Sequence, residues 1–251
     1  MTNRSNNEFF IGYLPQTPPG IRRWAMGAVV MLALLALVIG WALGTHQRGE
    51  SNAVFAFGEE TVLEGDLLAA PVPLLAVPSG RAILLIGYGK HGAESTLEAA
   101  GASPGDKLRI AGTLIHYNGK TLLEITRGVK AVERLGPSTR ADGPDERLGS
   151  WDLAGEVVDP KCYFGVMKPG EGKPHKACAI RCIEGGIPPV LAVKDSSGLE
   201  QYLLLRGPSG EALNAGIASH VAVPLNLQGT VERWADWYLL RTDQTAWERI
   251  R

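Results

Sequence analysis

The feature that most constrains this chain is an internal repeat. Leu108-Arg-Ile-Ala-Gly112-Thr113-Leu114 overlays Leu225-Asn-Leu-Gln-Gly229-Thr230-Val231 at an offset of 117, and Leu122-Leu123 overlays Leu239-Leu240 at the same offset. Whatever the first half folds into, the second half is expected to fold into as well. The offset extends upstream to Pro71 on Pro188, Leu74 on Leu191 and Val77 on Lys194. Earlier still it changes to 90, where Leu63-Glu64-Gly65-Asp66-Leu67 overlays Leu153-Ala154-Gly155-Glu156-Val157. The second half therefore carries 27 extra residues between its first two strands.

Each half reads as short strands. Alternation in Lys107-Leu-Arg-Ile-Ala and in Pro224-Leu-Asn-Leu-Gln gives one buried and one wet face. Asn118-Gly119 between two apolar runs is a hairpin signal. With 31 Gly and 16 Pro the chain favours many turns. A first strand with a central glycine, two further strands, a short Ala/Gly-rich turn or helix (Ser95–Gly101, Ser209–Gly216) and a closing hairpin suggest a five-stranded OB-like barrel. The expected class is mainly β: two tandem OB-like barrels at 50–136 and 149–251, joined by a polar Pro/Gly-rich linker at 137–148. One larger β-sandwich holding both halves is the competing architecture.

Ahead of the repeat, residues 24–45 lack any charged side chain. The apolar stretch Ala25–Gly44 is about 30 Å long as a helix, which matches a bilayer core. Trp24 and Trp41 stand near its ends, where indoles favour the interface. A cleaved signal peptide ending at Ala42-Leu43-Gly44 is the alternative, but a 23-residue leading segment and the length of the run favour an uncleaved anchor. Arg22 and Arg23 abut its N-terminal side and only Arg48 lies close on the other, so the 1–23 stub is expected in the cytoplasm and residues 46–251 outside. In a bacterium this is a single-pass protein of the inner, cytoplasmic membrane with a periplasmic body. The stub itself, Phe9-Phe-Ile-Gly-Tyr-Leu-Pro15, is aromatic enough to lie in the lipid interface or dock on a partner, with disorder in isolation as the alternative.

The chain totals 25 cations and 26 anions. Setting aside Arg4, Arg22, Arg23, Arg48 and Glu8, the exported part holds 21 and 25, a net charge of -4. That opposes nucleic-acid binding, which needs a basic surface. The partners expected are membrane lipid and another membrane protein or complex.

All three cysteines lie in the extra segment 160–187, at Cys162, Cys178 and Cys182, with His175 among them. Pro174 is suited to a first helical turn and Gly185-Gly186 to a stop. His175, Cys178 and Cys182 then share one helical face, with Cys162 approaching from the preceding loop. Four chemistries fit. A disulfide from Cys162 to Cys178 or Cys182 would staple the segment and leave an odd thiol. A Cys₃His site would take zinc, or copper(I) with Met167 assisting. A redox-active thiolate would be favoured by Lys161, Lys173, Lys176 and Arg181. Iron–sulfur or haem ligation is the fourth, although C-x-x-C-H is absent. Tyr88-Gly-Lys-His-Gly92 reads as an exposed loop or an anion cradle, and Trp234, Trp237 and Tyr238 as packing or a stacking surface. No Ser-His-Asp constellation, phosphate loop or paired-carboxylate motif stands out.

The layout of anchor and barrels resembles membrane-anchored periplasmic OB-fold proteins of bacteria, among whose architectural relatives is the haem chaperone of cytochrome c maturation. The nearest words to that chaperone's His-then-Tyr pattern, Tyr88-Gly-Lys-His91 and His116-Tyr117, do not reproduce it. The resemblance implies a binding or assembly role and carries over no catalytic residue. The expectation is an accessory or assembly subunit of a membrane-bound system, respiratory ones among them, whose Cys/His loop binds metal or a partner. The alternative is a thiol-dependent periplasmic redox enzyme.

Overall fold

The structure, a computed structural model, describes residues 17–46, 52–140, 143–165 and 167–250. The aromatic stub Phe9–Pro15 lies outside them. The chain divides into two compact units, Met1–Ser51 and Asn52–Arg251. The first contributes one helix, α1 (Pro19–His46), long and apolar enough to cross a membrane. It begins at Pro19, before the uncharged run, because proline is pre-set for the first helical turn and lacks the N–H that would go unsatisfied there. Its apolar side chains, Leu32 to Leu37 among them, are exposed, as a lipid-facing helix requires and a core helix does not.

The second unit is mainly β and contains two closed five-stranded barrels. The first is built from β2 (Thr61–Leu67), β3 (Leu74–Ala76), β4 (Ala82–Gly87), β5 (Asp106–Tyr117) and β6 (Lys120–Ile125), with α2 (Glu94–Ala99) between β4 and β5. Short β1 (Val54–Phe55) and β7 (Val132–Pro137) add to β5. The neighbours run β5-β2-β3-β4-β6, and β6 closes on β5; β4 and β6 are parallel and the other pairs antiparallel. The second barrel repeats this with β8 (Glu146–Val158), β9 (Val190–Lys194), β10 (Glu200–Arg206), β11 (Pro224–Trp234) and β12 (Trp237–Thr242), and β13 (Glu248–Arg249) adds to β11. Again only β10 and β12 pair in parallel.

The repeated glycines hold equivalent places. Gly65 pairs with Leu108 and Gly155 with Leu225. A Cβ on Gly65 would lie 2.4 Å from the Ala76 carbonyl oxygen, and on Gly155 2.5 Å from that of Ala192. Likewise Gly112 would meet Glu124 O at 2.3 Å and Gly229 Arg241 O at 2.1 Å. These are the tight corners of a small closed barrel, where another strand's backbone passes too near for a side chain. The 117-residue offset, however, does not extend upstream. Leu75 faces Leu67 as Leu191 faces Val157, so Leu74 corresponds to Val190, and Pro73 to Pro189, each accepting from the equivalent Leu85 and Leu205. The true offset there is 116. A slip by one residue exchanges the two faces of a strand, so the uncorrected alignment would have turned Leu191 the wrong way. The second connection equivalent to Ser95–Gly101 also differs: residues 209–216 are not helical, and a short 3₁₀ turn (Ile217–Ser219) follows instead.

The barrels are not beads on a linker. Strand β4 is buried along its whole length. Ile83 and Leu85 fill the first barrel, while Ala82, Leu84 and Ile86 point outward into a core shared with the second barrel. In β10, Leu203 and Leu205 face in while Tyr202 and Leu204 face that same shared core. The seam is nearly reciprocal. The β5–β6 turn reaches β10, where Asn118 Nδ2 donates to the Tyr202 hydroxyl at 2.8 Å. The β11–β12 turn reaches β4, where Asp236 Oδ1 accepts from Ala82 N at 2.7 Å and Trp237 Nε1 donates to Ala82 O at 3.0 Å. Each fully buried leucine contributes on the order of 2 kcal/mol, against about 1 kcal/mol for a hydrogen bond, so apolar burial rather than these polar contacts holds the seam.

Candidate metal centre

The connection from β8 to β9 spans residues 159–189, where the corresponding connection in the first barrel spans 68–73. It forms two helices, α3 (Pro160–Phe164) and α4 (Gly172–Glu184). Cys162 therefore sits on a helix rather than on a loop. The cause is Asp159-Pro160: the carboxylate caps the helix by accepting from Cys162 N at 3.1 Å, and proline occupies the first turn. Helix α3 is anchored by Tyr163 and Phe164, both buried in the shared core, with Phe164 edge-on to Tyr202 at 4.7 Å between centroids. Helix α4 ends at Gly185, whose Cβ position would lie 1.8 Å from Lys90 O of the first barrel. Gly92 N donates to Gly185 O at 3.0 Å, so the 88–92 loop is pressed against the end of α4. On the other side Lys161 Nζ donates to the Gly89 carbonyl and pairs with buried Glu124. Gly92 is required because two backbones meet here, its Cβ position lying 2.2 Å from Gly186 O, whereas Gly89 serves a turn with φ +68°.

These helices bring Cys162, Cys178 and Cys182 together, with all three sulfurs within 4.8 Å of one another. All are free thiols; the disulfide expected from Cys162 is not formed, and its sulfur stands 3.9 Å from that of Cys178 against about 2.05 Å for a bond. His175 is buried on α4, its Nε2 3.3 Å from Asp159 Oδ2. Asp159, Cys162 and His175 form a second group of donors within 4.8 Å of one another. His175 thus belongs with Cys162 and Asp159, rather than completing one set with all three sulfurs.

The electrostatics are those of crowded thiols. Donation from Cys162 holds the Cys182 thiol below its ordinary range, ahead of the opposing effect of burial. Cys162 is driven up by the same hydrogen bond, then by burial and the Asp159 charge. Lys90 Nζ donates to Cys178 Sγ at 3.3 Å, and that bond raises the lysine. The ammonium at a sulfur is therefore Lys90, whereas Lys161 turns to Glu124.

Two groups were not singled out from the sequence. Asp159 was legible, since Asp-Pro before a helix is a capping signal. Lys90 was not, because it meets Cys178 across a sequence separation of 88. The other motifs are absorbed by the fold: Trp234 and Trp237 are buried in the seam, and Tyr117 stacks on Phe164 there. His116 bonds Thr121 Oγ1 at 3.0 Å.

No protein-family model matches the chain, and no curated protein matches it.

Proposed function

We propose that the protein is a membrane-anchored periplasmic accessory or assembly subunit whose β8–β9 connection binds a thiophilic metal ion, zinc or copper(I), through Cys162, Cys178 and Cys182. The observation that carries this is the convergence of three free thiols from two helices. Zinc holds thiolates at about 2.3 Å, which sets ligating sulfurs roughly 3.8 Å apart in a tetrahedral shell. The 3.9 Å between Cys162 and Cys178 needs little adjustment. Copper(I) is favoured by the same soft donors. The closed five-stranded barrels with one parallel pair each support an OB-like identity, in which the first inter-strand connection is a usual ligand-contacting place. The apolar helix α1 and the arginines on its N-terminal side support a cytoplasmic N-terminus and a body across the inner membrane. A membrane-bound, respiratory-type system is the setting such an anchored metal protein would serve.

A second reading, a thiol-dependent redox enzyme, is favoured by Lys90 on Cys178. Full-length protein purified in detergent under anaerobic, reducing conditions separates the two. Bound zinc or copper, diminished in Cys178→Ser and Cys182→Ser, is the expected result. Failure to take up either metal on loading, with three thiols remaining titratable, would sink the metal reading. A reporter fused after Arg251 should be active only in the periplasm; activity of a cytoplasm-only reporter would reverse the orientation.

A further inference from the structure

We infer that the centre is built for two metal ions, with Cys162 as a bridging thiolate: one ion on Cys162, Cys178 and Cys182, the other on Cys162, His175 and Asp159. This rests on the metal-binding reading above and fixes its stoichiometry. Three observations carry it.

The first is topological. The two donor groups share one atom, the Cys162 sulfur. A thiolate has lone pairs enough for two cations, and the short helix α3 brings this one within 4.8 Å of the donors of both groups.

The second is distance. Nε2 of His175 and Oδ2 of Asp159 are 3.3 Å apart. A charge-assisted hydrogen bond prefers about 2.7–2.9 Å. Two donors each at about 2.0 Å from a tetrahedral ion stand roughly 3.3 Å apart. The observed spacing, a long hydrogen bond as it stands, is also the one two co-ligands would keep. Asp159 is fully buried and still caps α3 with its other oxygen, so it would bind through Oδ2 without surrendering the cap.

The third is charge. Three thiolates and one carboxylate sum to four negative charges in a largely buried place, and uncompensated buried charge is strongly disfavoured. One divalent ion leaves a residual of two. Two divalent ions bring the set to neutrality. Lys90, at Cys178, is the nearby ammonium, and its exposed head is screened by water. Neutrality therefore selects divalent ions of the zinc class for full occupancy. With three protein donors each, both ions keep one coordination position for water or a ligand from outside.

The test is a cadmium titration of the full-length protein in detergent, followed by 113Cd NMR and mass spectrometry. The expected result is two ions per chain and two resonances, a sulfur-rich one well downfield of a mixed nitrogen, oxygen and sulfur one. His175→Ala and Asp159→Asn should each reduce the count to one and remove only the upfield signal. Cys178→Ser should remove the downfield signal, and Cys162→Ser should disturb both. Asn retains the cap, which guards against misfolding, and circular dichroism of each variant checks it. A single ion in the unaltered protein overturns the two-ion centre yet leaves metal binding by the sulfurs standing, whereas no ion at all overturns both. A single ion lost in His175→Ala would instead make His175 the fourth ligand of one site.

Discussion

At the scale of single residues, the sites that matter are those where burial forces a polar group to find a partner. Asp106 is an example away from the metal centre. The Ser103 backbone N–H, then the Arg134 guanidinium, holds its carboxylate below the ordinary range. The sign follows from linkage: the unfolded chain takes up the proton first, at about pH 3.9. The stabilisation is complete above that pH and is lost as the pH falls through the folded value. Asp106→Asn should therefore lower Tm at neutral pH, and the gap to the unaltered protein should narrow as the pH falls below about 3.9. Parallel Tm–pH curves for the two chains would refute this role. Glu200 shows the same competition: burial pushes it up, but the Tyr202 hydroxyl and Lys194 outweigh burial and it ends below its usual value.

Between elements, the decisive contact is that of the 88–92 loop with the end of α4. Neither Gly92 nor Gly185 has room for a Cβ, because each faces the other segment's backbone at 2.2 and 1.8 Å. Backbone does not yield as a flexible side chain does. Gly185→Ala is expected to destabilise the body by roughly 1–3 kcal/mol and to weaken metal retention, since α4 carries two of the three sulfurs. Urea unfolding measures the first effect and competition with a chelator the second. An alanine variant as stable as the parent would mean that the loop and helix move apart at little cost, and that the seam does not brace the centre.

Across the whole body, a core shared by the barrels makes them one folding unit. Residues 52–251 should unfold in a single transition, with fluorescence of the seam residue Trp237 and far-ultraviolet circular dichroism changing together. Leu84 is fully buried in the seam rather than inside a barrel. Leu84→Ala should cost about 2–5 kcal/mol, as much as a change in a barrel interior. Two separated transitions, or a negligible effect of Leu84→Ala, would show that the barrels fold independently.

Much of this architecture was legible in the chain because it depends on local pattern. The uncharged run at 24–45 specifies a helix whatever lies around it, since its backbone bonds are internal. The glycines and the hairpin at Asn118-Gly119 mark two like barrels, because corners and turns are set by a few residues in sequence order. Spacing of 175, 178 and 182 put one histidine and two sulfurs on a helical face. Tertiary structure alone decided three further things. It set the register of β3 and β9, one residue from the alignment, because pairing depends on the facing strand. It showed why Ala82–Ile86 and Tyr202–Leu205 are apolar on both faces: each strand serves its own barrel and the seam, and no periodicity says what covers the second face. It also joined His175 to Asp159 and Lys90 to Cys178. A local pattern places a side chain on an element, but only packing brings two elements distant in sequence to bonding distance.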